Sequence, residues 1–395
     1  MNRREFLYGS AATAVGARAL DARAYAAIPG ANNRVGLGVV GTGRRATVVC
    51  EAFAQDPRVE FRALAEIYDK QVAGFQDRFK DHVAEAAVLV EYQKLLDRND
   101  IDAVYIATPD HLHVTIAKDA LGAGKNVYLE KPTLHRWSER ETLVKAAATS
   151  EGILQCGMQQ RSGAHYAQAK QDYFDSGKLG KVVFARCVWH NFPWQRRTIP
   201  NEPKPDSLRW DLFLGPAPKV PYELSRYSSW RSYHDYGNGL LADILTHWAD
   251  VAQWLMNDAK PVSAAALGGD FQLHGDLTNP DTVSAVVRYN NWNMNFESTV
   301  LSVRNPQPSV YFEGTEGCLD ITREGFVFTP NSGDPVQVSA TQNLERAHAG
   351  NFIDAIMKTA TVNASLEDGL AASVPVMMAL QSYWTNKICT AEELA

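Results

Sequence analysis

The chain has 395 residues, 45% hydrophobic and 21% charged, a globular composition with room for two domains. Its 39 basic and 45 acidic residues leave a net charge of −6, which excludes a broad basic footprint for nucleic acid or an anionic membrane surface. Five scattered cysteines (Cys50, Cys156, Cys187, Cys318, Cys389) with no C-x-x-C pair argue against a disulfide framework and a zinc site, while leaving room for one bridge in an oxidising compartment.

At the N-terminus, Arg3-Arg4-Glu5-Phe6-Leu7 precede a modest apolar run to Val15 and small-residue cleavage candidates at Ala22-Arg23-Ala24 and Ala24-Tyr25-Ala26. This pattern predicts a twin-arginine signal peptide over residues 1–27, recognised by the twin-arginine export machinery, with Pro29 to Asn33 as a tether. A disordered basic tail is the alternative. The apolar run is too short, and too broken by Arg18, to span a bilayer, and no later stretch reaches transmembrane length. The expectation is an exported, periplasmic protein with no stable membrane insertion after processing.

Val35 to Val40 is a short, β-branched apolar run that predicts a buried strand. Gly41-Thr42-Gly43-Arg44-Arg45-Ala46 follows at once and leads into a helical pattern. Strand, glycine turn and helix together make the context in which G-x-G-x-x-G/A binds a dinucleotide. Gly41 permits the tight turn, Gly43 admits a pyrophosphate to the helix N-terminus, and Ala46 lets helix and strand pack closely. Glu66 closes the next apolar run 25 positions after Gly41, near the ~20 usual for the acid that holds an adenosine ribose. Arg44 and Arg45 are the alternative signal, a clamp for a 2′-phosphate. Glu66 would repel that phosphate, so NAD is expected ahead of NADP.

Strand and helix continue to alternate. Asp69 to Phe79 and Tyr92 to Leu96 are predicted helical, Ile101 to Ala107 a strand, Thr115 to Ala123 a helix and Asn126 to Leu129 a strand. The alternation predicts an N-terminal Rossmann domain, residues 33–157, with a doubly wound parallel sheet. Gly41–Ala46, Glu66, Thr108-Pro109-Asp110-His111 and Glu130-Lys131-Pro132 all fall at strand carboxyl ends, where such sheets bind ligands. The remainder, residues 158–388, is read as a substrate-binding and oligomerisation domain of α+β class. Its predicted strands run over Val262–Gly268, Thr282–Tyr289, Trp292–Leu301, Ser309–Glu313, Cys318–Thr322, Gly325–Thr329 and Val336–Ser339, forming a mostly antiparallel open sheet. Arg346–Thr359 and Asp368–Ile388 are predicted closing helices.

The run T-P-D-H-L-H, then A-L-G-A-G-K-N-V-Y-L-E-K-P, closely resembles the Gfo/Idh/MocA family of sugar oxidoreductases, with the strongest likeness from Arg34 to Pro132. The resemblance implies a nicotinamide cofactor, a carbohydrate substrate and a second domain whose sheet supports a homodimer or homotetramer. It also implies that the loop carrying Thr108, Pro109, His111 and His113 lines the cofactor site, together with Glu130 and Lys131. Lys131, in the Glu-Lys-Pro signature, would donate to a substrate hydroxyl or relay its proton.

Asp243 and His247 match the family's Asp-x-x-x-His catalytic motif. They lie four apart in a segment, Gly239 to Leu255, with the apolar spacing of an amphipathic helix, and so share one face. His247 would take the hydroxyl proton, its unperturbed pKa of ~6.5 suiting a base near neutrality. Asp243 would anchor the hydroxyl or help hold the charge, and Asp250 reads as structural. His111 and His113 with Asp110 invite a metal reading, but no third clustered ligand follows and no metal is expected.

Gln160 and Arg161 fall where the family places substrate-facing residues, although a structural role for Arg161 is an equal reading. From His190 to Asp235 the chain is irregular, holding seven of the 18 prolines, and six of the nine tryptophans lie between Trp189 and Trp254. Aromatic faces stack on sugar C–H faces, so Trp194, Trp230, Tyr233 and His234 are candidate substrate contacts. Competing readings are a glycosidase, epimerase or dehydratase using NAD transiently, and a non-catalytic sugar-binding protein. Intact Lys131, Asp243 and His247 argue against the last.

Overall fold

The structure, a computed structural model, describes residues 34–190, 199–272, 277–301 and 307–394. The leader expected over residues 1–27 and the candidate Trp194 lie outside the described residues. Among the described residues, no helix is long and apolar enough to cross a membrane.

Six strands form the first sheet: β1 (Val35–Val40), β2 (Val59–Ala65), β3 (Ala87–Leu89), β4 (Ala103–Ile106), β5 (Asn126–Leu129) and β6 (Leu154–Cys156), in the order β3-β2-β1-β4-β5-β6. Every pair is parallel. All six residues of β1 are buried, as a central strand covered on both faces requires. Helices α1 (Arg44–Ala54), α2 (Asp69–Arg78), α3 (His113–Gly122) and α4 (Arg140–Thr149) accompany the sheet. The strand order reverses between β1 and β4, so the glycine turn after β1 opens onto the crevice where such sheets take their ligand.

The second sheet has nine strands: β7 (Val182–Val188), β8 (Ser263–Gly269), β9 (Thr282–Arg288), β10 (Asn293–Thr299), β11 (Ser309–Gly314), β12 (Gly317–Thr322), β13 (Gly325–Pro330), β14 (Val336–Ser339) and β15 (Cys389–Thr390). Only β7 and β10 pair in parallel; the other neighbours are antiparallel. The seven strands expected from the sequence are present within a residue or two. β3, β7 and β15 have no counterpart in the sequence reading. β7 sits in the middle of its sheet, yet its period-two signal is blurred by Val183, which lies on the exposed face.

Helix α5 (Thr246–Met256) carries the expected Asp-x-x-x-His segment in a different form. It is preceded by a wide, π-type turn, Leu241–Leu245, and every residue from Gly239 to Gln253 is buried. The segment is therefore enclosed on all sides rather than amphipathic, and π-type turns concentrate at functional sites.

The closing helices are α6 (Leu344–Ile356) and α7 (Leu366–Thr385). Ala349, Phe352 and Ile353 of α6 return to the first domain and pack with Val49 and Phe53 of α1 and with Tyr105 and Tyr128 of the sheet. Phe352 meets Tyr128 edge-on at 5.6 Å. A division of the chain at residue 157 thus separates the sheets but not the cores. All five cysteines are free thiols.

Candidate active site

The glycine turn fits a dinucleotide on its own geometry. Gly41 has φ +84°, and a Cβ there would come within 3.0 Å of the Ala107 carbonyl oxygen, so neither the conformation nor the space admits a side chain. Gly43 stands at the N-cap of α1 with no side-chain cap, and a Cβ added to it would meet nothing within 4 Å. An open space therefore faces uncapped helical N–H groups, the arrangement that receives a pyrophosphate. Exposed Arg44 stands at the same helix start.

Glu66 behaves differently from the expectation. Its Oε2 accepts from the Thr42 backbone N–H (2.8 Å) and from the Thr42 hydroxyl (3.2 Å), while Oε1 accepts from the backbone N–H groups of Ile67 (2.8 Å) and Tyr68 (3.1 Å). All four acceptor positions of a carboxylate are thereby filled by the protein. Glu66 shapes the loop beside the ribose position, and a ribose hydroxyl would bond it only by displacing one of these donors. Burial pushes its pKa up against the pull of those hydrogen bonds.

Four other residues expected at the cofactor are turned to structural tasks. Arg45 points into the protein, its Nε 2.8 Å from Glu130 Oε1 and a guanidinium nitrogen 3.6 Å from Glu345. It cannot clamp a 2′-phosphate from there, which removes half of the NADP signal. Glu130, only 3% exposed, also accepts from the Tyr105 hydroxyl (3.3 Å). The His113 ring lies between two backbone carbonyls, Nδ1 2.8 Å from Pro132 O and Nε2 3.0 Å from Thr108 O, and ties together the loops after β4 and β5. His111 Nε2 lies 2.9 Å from Phe213 O, and burial pushes its pKa down to about 4. Thr108 and Pro109 remain part-exposed at the crevice, with the Thr108 hydroxyl buried and without a partner among the described residues. Among the described residues no cluster of three or more His, Cys, Asp or Glu is arranged to hold a metal ion.

The three catalytic candidates converge. Lys131, at the end of β5, donates from Nζ to Asp243 Oδ1 (2.6 Å) and to the Asp243 carbonyl (3.0 Å) across the boundary between the two sheets. Arg231, which the sequence reading passes over, brings Nε to 3.3 Å from the same carboxylate oxygen and lays its guanidinium over Trp230 at 4.1 Å. Burial works to raise the Asp243 pKa, but the charges of Lys131 and Arg231 outweigh it and hold the group well below the usual carboxylate range.

His247 lies one turn further along, stacked on Trp189 at 5.5 Å. Its Nδ1 is buried and has no hydrogen-bond partner among the described residues. Burial first, then the charge of Lys131, push its pKa well below the ordinary histidine value, only partly opposed by Asp243. The ring is therefore neutral at physiological pH, with a lone pair available, and is not the near-neutral titrating group its type suggests.

Of the substrate candidates, Trp230 belongs to this cluster through Arg231. Arg161 does not: its guanidinium is spent on Asp250 (2.7 Å) and Asp368 (2.9 Å), which also makes Asp250 structural as expected. Tyr233 is fully buried, its hydroxyl 2.9 Å from Ser225 Oγ. The backbone carbonyl of His234 receives His135 Nε2 (2.9 Å), and the His234 ring packs on Trp384 at 4.9 Å. Gln160 is buried, and its amide nitrogen has no partner among the described residues, which keeps it a candidate.

Fold and site together define a dinucleotide-binding Rossmann domain joined to a mostly antiparallel second domain. The chain belongs to the Gfo/Idh/MocA family: the model of its oxidoreductase, NAD-binding Rossmann domain matches residues 35–158, and that of its C-terminal domain matches residues 166–320. Levoglucosan dehydrogenase of Pseudarthrobacter phenanthrenivorans is 26% identical over 270 residues, 63% of this chain and 60% of that protein. A dTDP-3,4-didehydro-2,6-dideoxy-alpha-D-glucose 3-reductase of Actinomadura kijaniata is 33% identical over 193 residues, 47% of this chain and 52% of the relative. The matches thus span roughly half to two-thirds of the curated relatives' lengths. Among solved structures, levoglucosan dehydrogenase in complex with NADH superposes with a TM-score of 0.73 at 20% identity, covering 91% of this chain and 99% of that one. A Bordetella pertussis dehydrogenase in complex with NADH and UDP-GlcNAcA gives 0.69 at 18% identity, covering 90% and 98%. At these identities the structural likeness establishes the fold.

Asp110 generates a pH prediction. It is 2% exposed, and burial, then the charge of Asp243, push its pKa up to about 8 against Arg231 and Lys131, with Glu139 adding to the rise. The folded pKa stands above the unfolded one, so this group favours the folded state at low pH and loses that contribution as pH climbs from ~4 toward 8. Asp110→Asn should therefore gain stability relative to the parent across that window, by up to ~1.4 kcal/mol per pH unit. Urea unfolding at a series of pH values checks this; a difference that does not change with pH contradicts it.

Proposed function

We propose that this protein is an NAD-dependent oxidoreductase that oxidises or reduces one carbon of a sugar, polyol or glycoside. The observation that carries the reading is the Lys131–Asp243 pair beside a neutral His247, at the sheet edge that holds the glycine turn. When bound, the dinucleotide supplies the hydride acceptor or donor. In the oxidising direction His247 takes the hydroxyl proton, while the C–H electron pair leaves as hydride and a carbonyl forms. Lys131 and Asp243 hold the reacting oxygen, with Arg231 retaining the carboxylate as Lys131 turns toward substrate. Trp230 and Gln160 are the sugar contacts this arrangement favours.

Relatives whose names concern levoglucosan and deoxysugar nucleotides support a carbohydrate substrate. The test is incubation of the purified protein with a panel of sugars, anhydrosugars and glycosides, followed by mass spectrometry of products. A mass change of two hydrogens in one panel member is expected. His247→Asn should retain dinucleotide binding and lower kcat by roughly 10²–10⁴, as loss of a general base does. Turnover near that of the parent at neutral pH removes His247 from the mechanism.

The paired arginines of the leader support export after folding, with the dinucleotide loaded in the cytoplasm and kept. An enzyme that keeps its dinucleotide must complete two half-reactions at one site, with a second carbonyl substrate or with the same sugar returning. Cell fractionation checks export: the parent should appear outside the inner membrane, and Arg3→Lys/Arg4→Lys should stay inside. Equal distribution of the two counts against the leader.

We also infer a homodimer or homotetramer built on the outer face of β8 and β9, where Leu267 is 69% and Val286 43% exposed. Sedimentation should give a dimer or tetramer that Leu267→Glu/Val286→Glu dissociates; a monomeric parent contradicts this.

A further inference from the structure

The irregular segment after β7 is not mainly a substrate loop. Residues 208–237 build a small aromatic core of their own: Trp210, Phe213, Leu214, Ala217, Tyr233 and Tyr236 are buried together. Trp210 and Phe213 stack at 4.8 Å with an interplanar angle of 11°. Such a core makes the segment a stiff body rather than a floppy connection.

This body is fastened at two places on the Rossmann edge. At the loop after β2, the Arg209 N–H donates to the Ile67 carbonyl (3.0 Å), and Tyr227 meets Tyr68 edge-on at 5.8 Å. At the loop after β4, the His111 ring lies 2.9 Å from the Phe213 carbonyl, and the His111 N–H donates to the Tyr236 carbonyl (3.3 Å). A third fastening reaches the second domain, where Asn279 Nδ2 donates to the carbonyls of Arg231 (2.9 Å) and Gly237 (2.8 Å).

β2 and β4 are the two neighbours of β1 in the sheet, so the fastenings flank the glycine turn on both sides. A dinucleotide in a sheet of this type runs from the ribose position after β2, across the turn, toward the strands beyond. We propose that residues 208–237 are a cover over the dinucleotide and that opening of this cover, not the loss of glycine-turn contacts, limits cofactor release. The inference rests on the cofactor reading above and names the part of the chain that would keep the cofactor in place.

Release through a cover has a signature that contact-limited release lacks. Oxidised and reduced dinucleotides differ in charge and in their contacts, yet both must wait for the same opening and so leave at the same rate. The fastening between Tyr227 and Tyr68 is the one to loosen, because both rings are only partly buried and neither belongs to the glycine turn or the catalytic cluster.

The experiment loads the full chain with NAD⁺ or NADH, removes free nucleotide, and follows dissociation into a nucleotide trap by fluorescence. Parent protein should release both at one slow rate. Tyr227→Ala should speed both by about tenfold, the worth of an edge-on aromatic pair. Tyr227→Phe, which keeps the ring, should stay within about threefold of the parent. Tyr68→Ala should act like Tyr227→Ala, and the double variant should add little, because both remove one contact. Bound nucleotide that leaves Tyr227→Ala and Tyr68→Ala at the parental rate overturns the cover while leaving the cofactor reading intact. Markedly different rates for NAD⁺ and NADH from the parent also overturn it. A parent that takes up neither nucleotide overturns the cofactor reading and the cover together.

Discussion

The ion pair between Lys131 and Asp243 is the contact on which the site depends. Lys131 follows β5 of the Rossmann sheet and Asp243 lies in the wide turn ahead of α5, so the 2.6 Å contact joins the first domain to the second. Both side chains are nearly enclosed, 9% and 6% exposed. Removing one partner from such a pair leaves the other charge buried and costs about 3–5 kcal/mol. Arg231 gives Asp243 a second cation, so the carboxylate has a partner besides Lys131. Lys131 also acts on His247, whose imidazolium form its charge opposes. One lysine thus links the two domains, helps Arg231 keep Asp243 ionised and adds to the burial that keeps His247 neutral.

Around this pair the protein fixes its loops with buried polar groups. The His113 ring joins the loops after β4 and β5, Arg45 and Glu130 connect the start of α1 to the end of β5, and Glu66 binds the glycine turn to the loop after β2. Each strand end is held by a neighbour's side chain, so the edge is formed before any ligand arrives. Such preorganisation lowers the ordering cost of binding. The return of α6 to the first core strengthens the effect, since Phe352 seats against Phe53 and Tyr128 and couples the C-terminal region to the nucleotide half.

Much of this was legible in the sequence where the signal is local. The apolar run of Val35 to Val40, the two glycines after it and the strand ends of β4 and β5 each declare themselves within a few residues. Spacing puts Asp243 and His247 on one helix face and the family resemblance marks them as a pair, but neither shows their enclosure, because a helix's burial depends on what packs over it. Arg44 and Arg45 show the limit: adjacent in sequence, they project about 100° apart on a helix, so one is exposed and the other is paired inside with Glu130. Arg231 could not be found because its relevance comes only from its contact with Asp243, made by a segment without periodicity. Tyr233 reads as a sugar contact for the same reason, although it is buried among its neighbours. Composition shows an aromatic cluster but not whether its rings face a ligand or one another.

The central claim is that burial and the charge of Lys131 together keep the His247 imidazole neutral. Nuclear magnetic resonance of the protein with isotope-labelled histidine, titrated through the acid range, reads the imidazole directly, with a His247→Asn sample assigning its signal. The account predicts a neutral His247 throughout the range where ordinary histidines titrate, and an upward move of its titration when Lys131→Met removes the ammonium. A His247 that protonates near the ordinary ~6.5, and does so equally with and without Lys131, would contradict it.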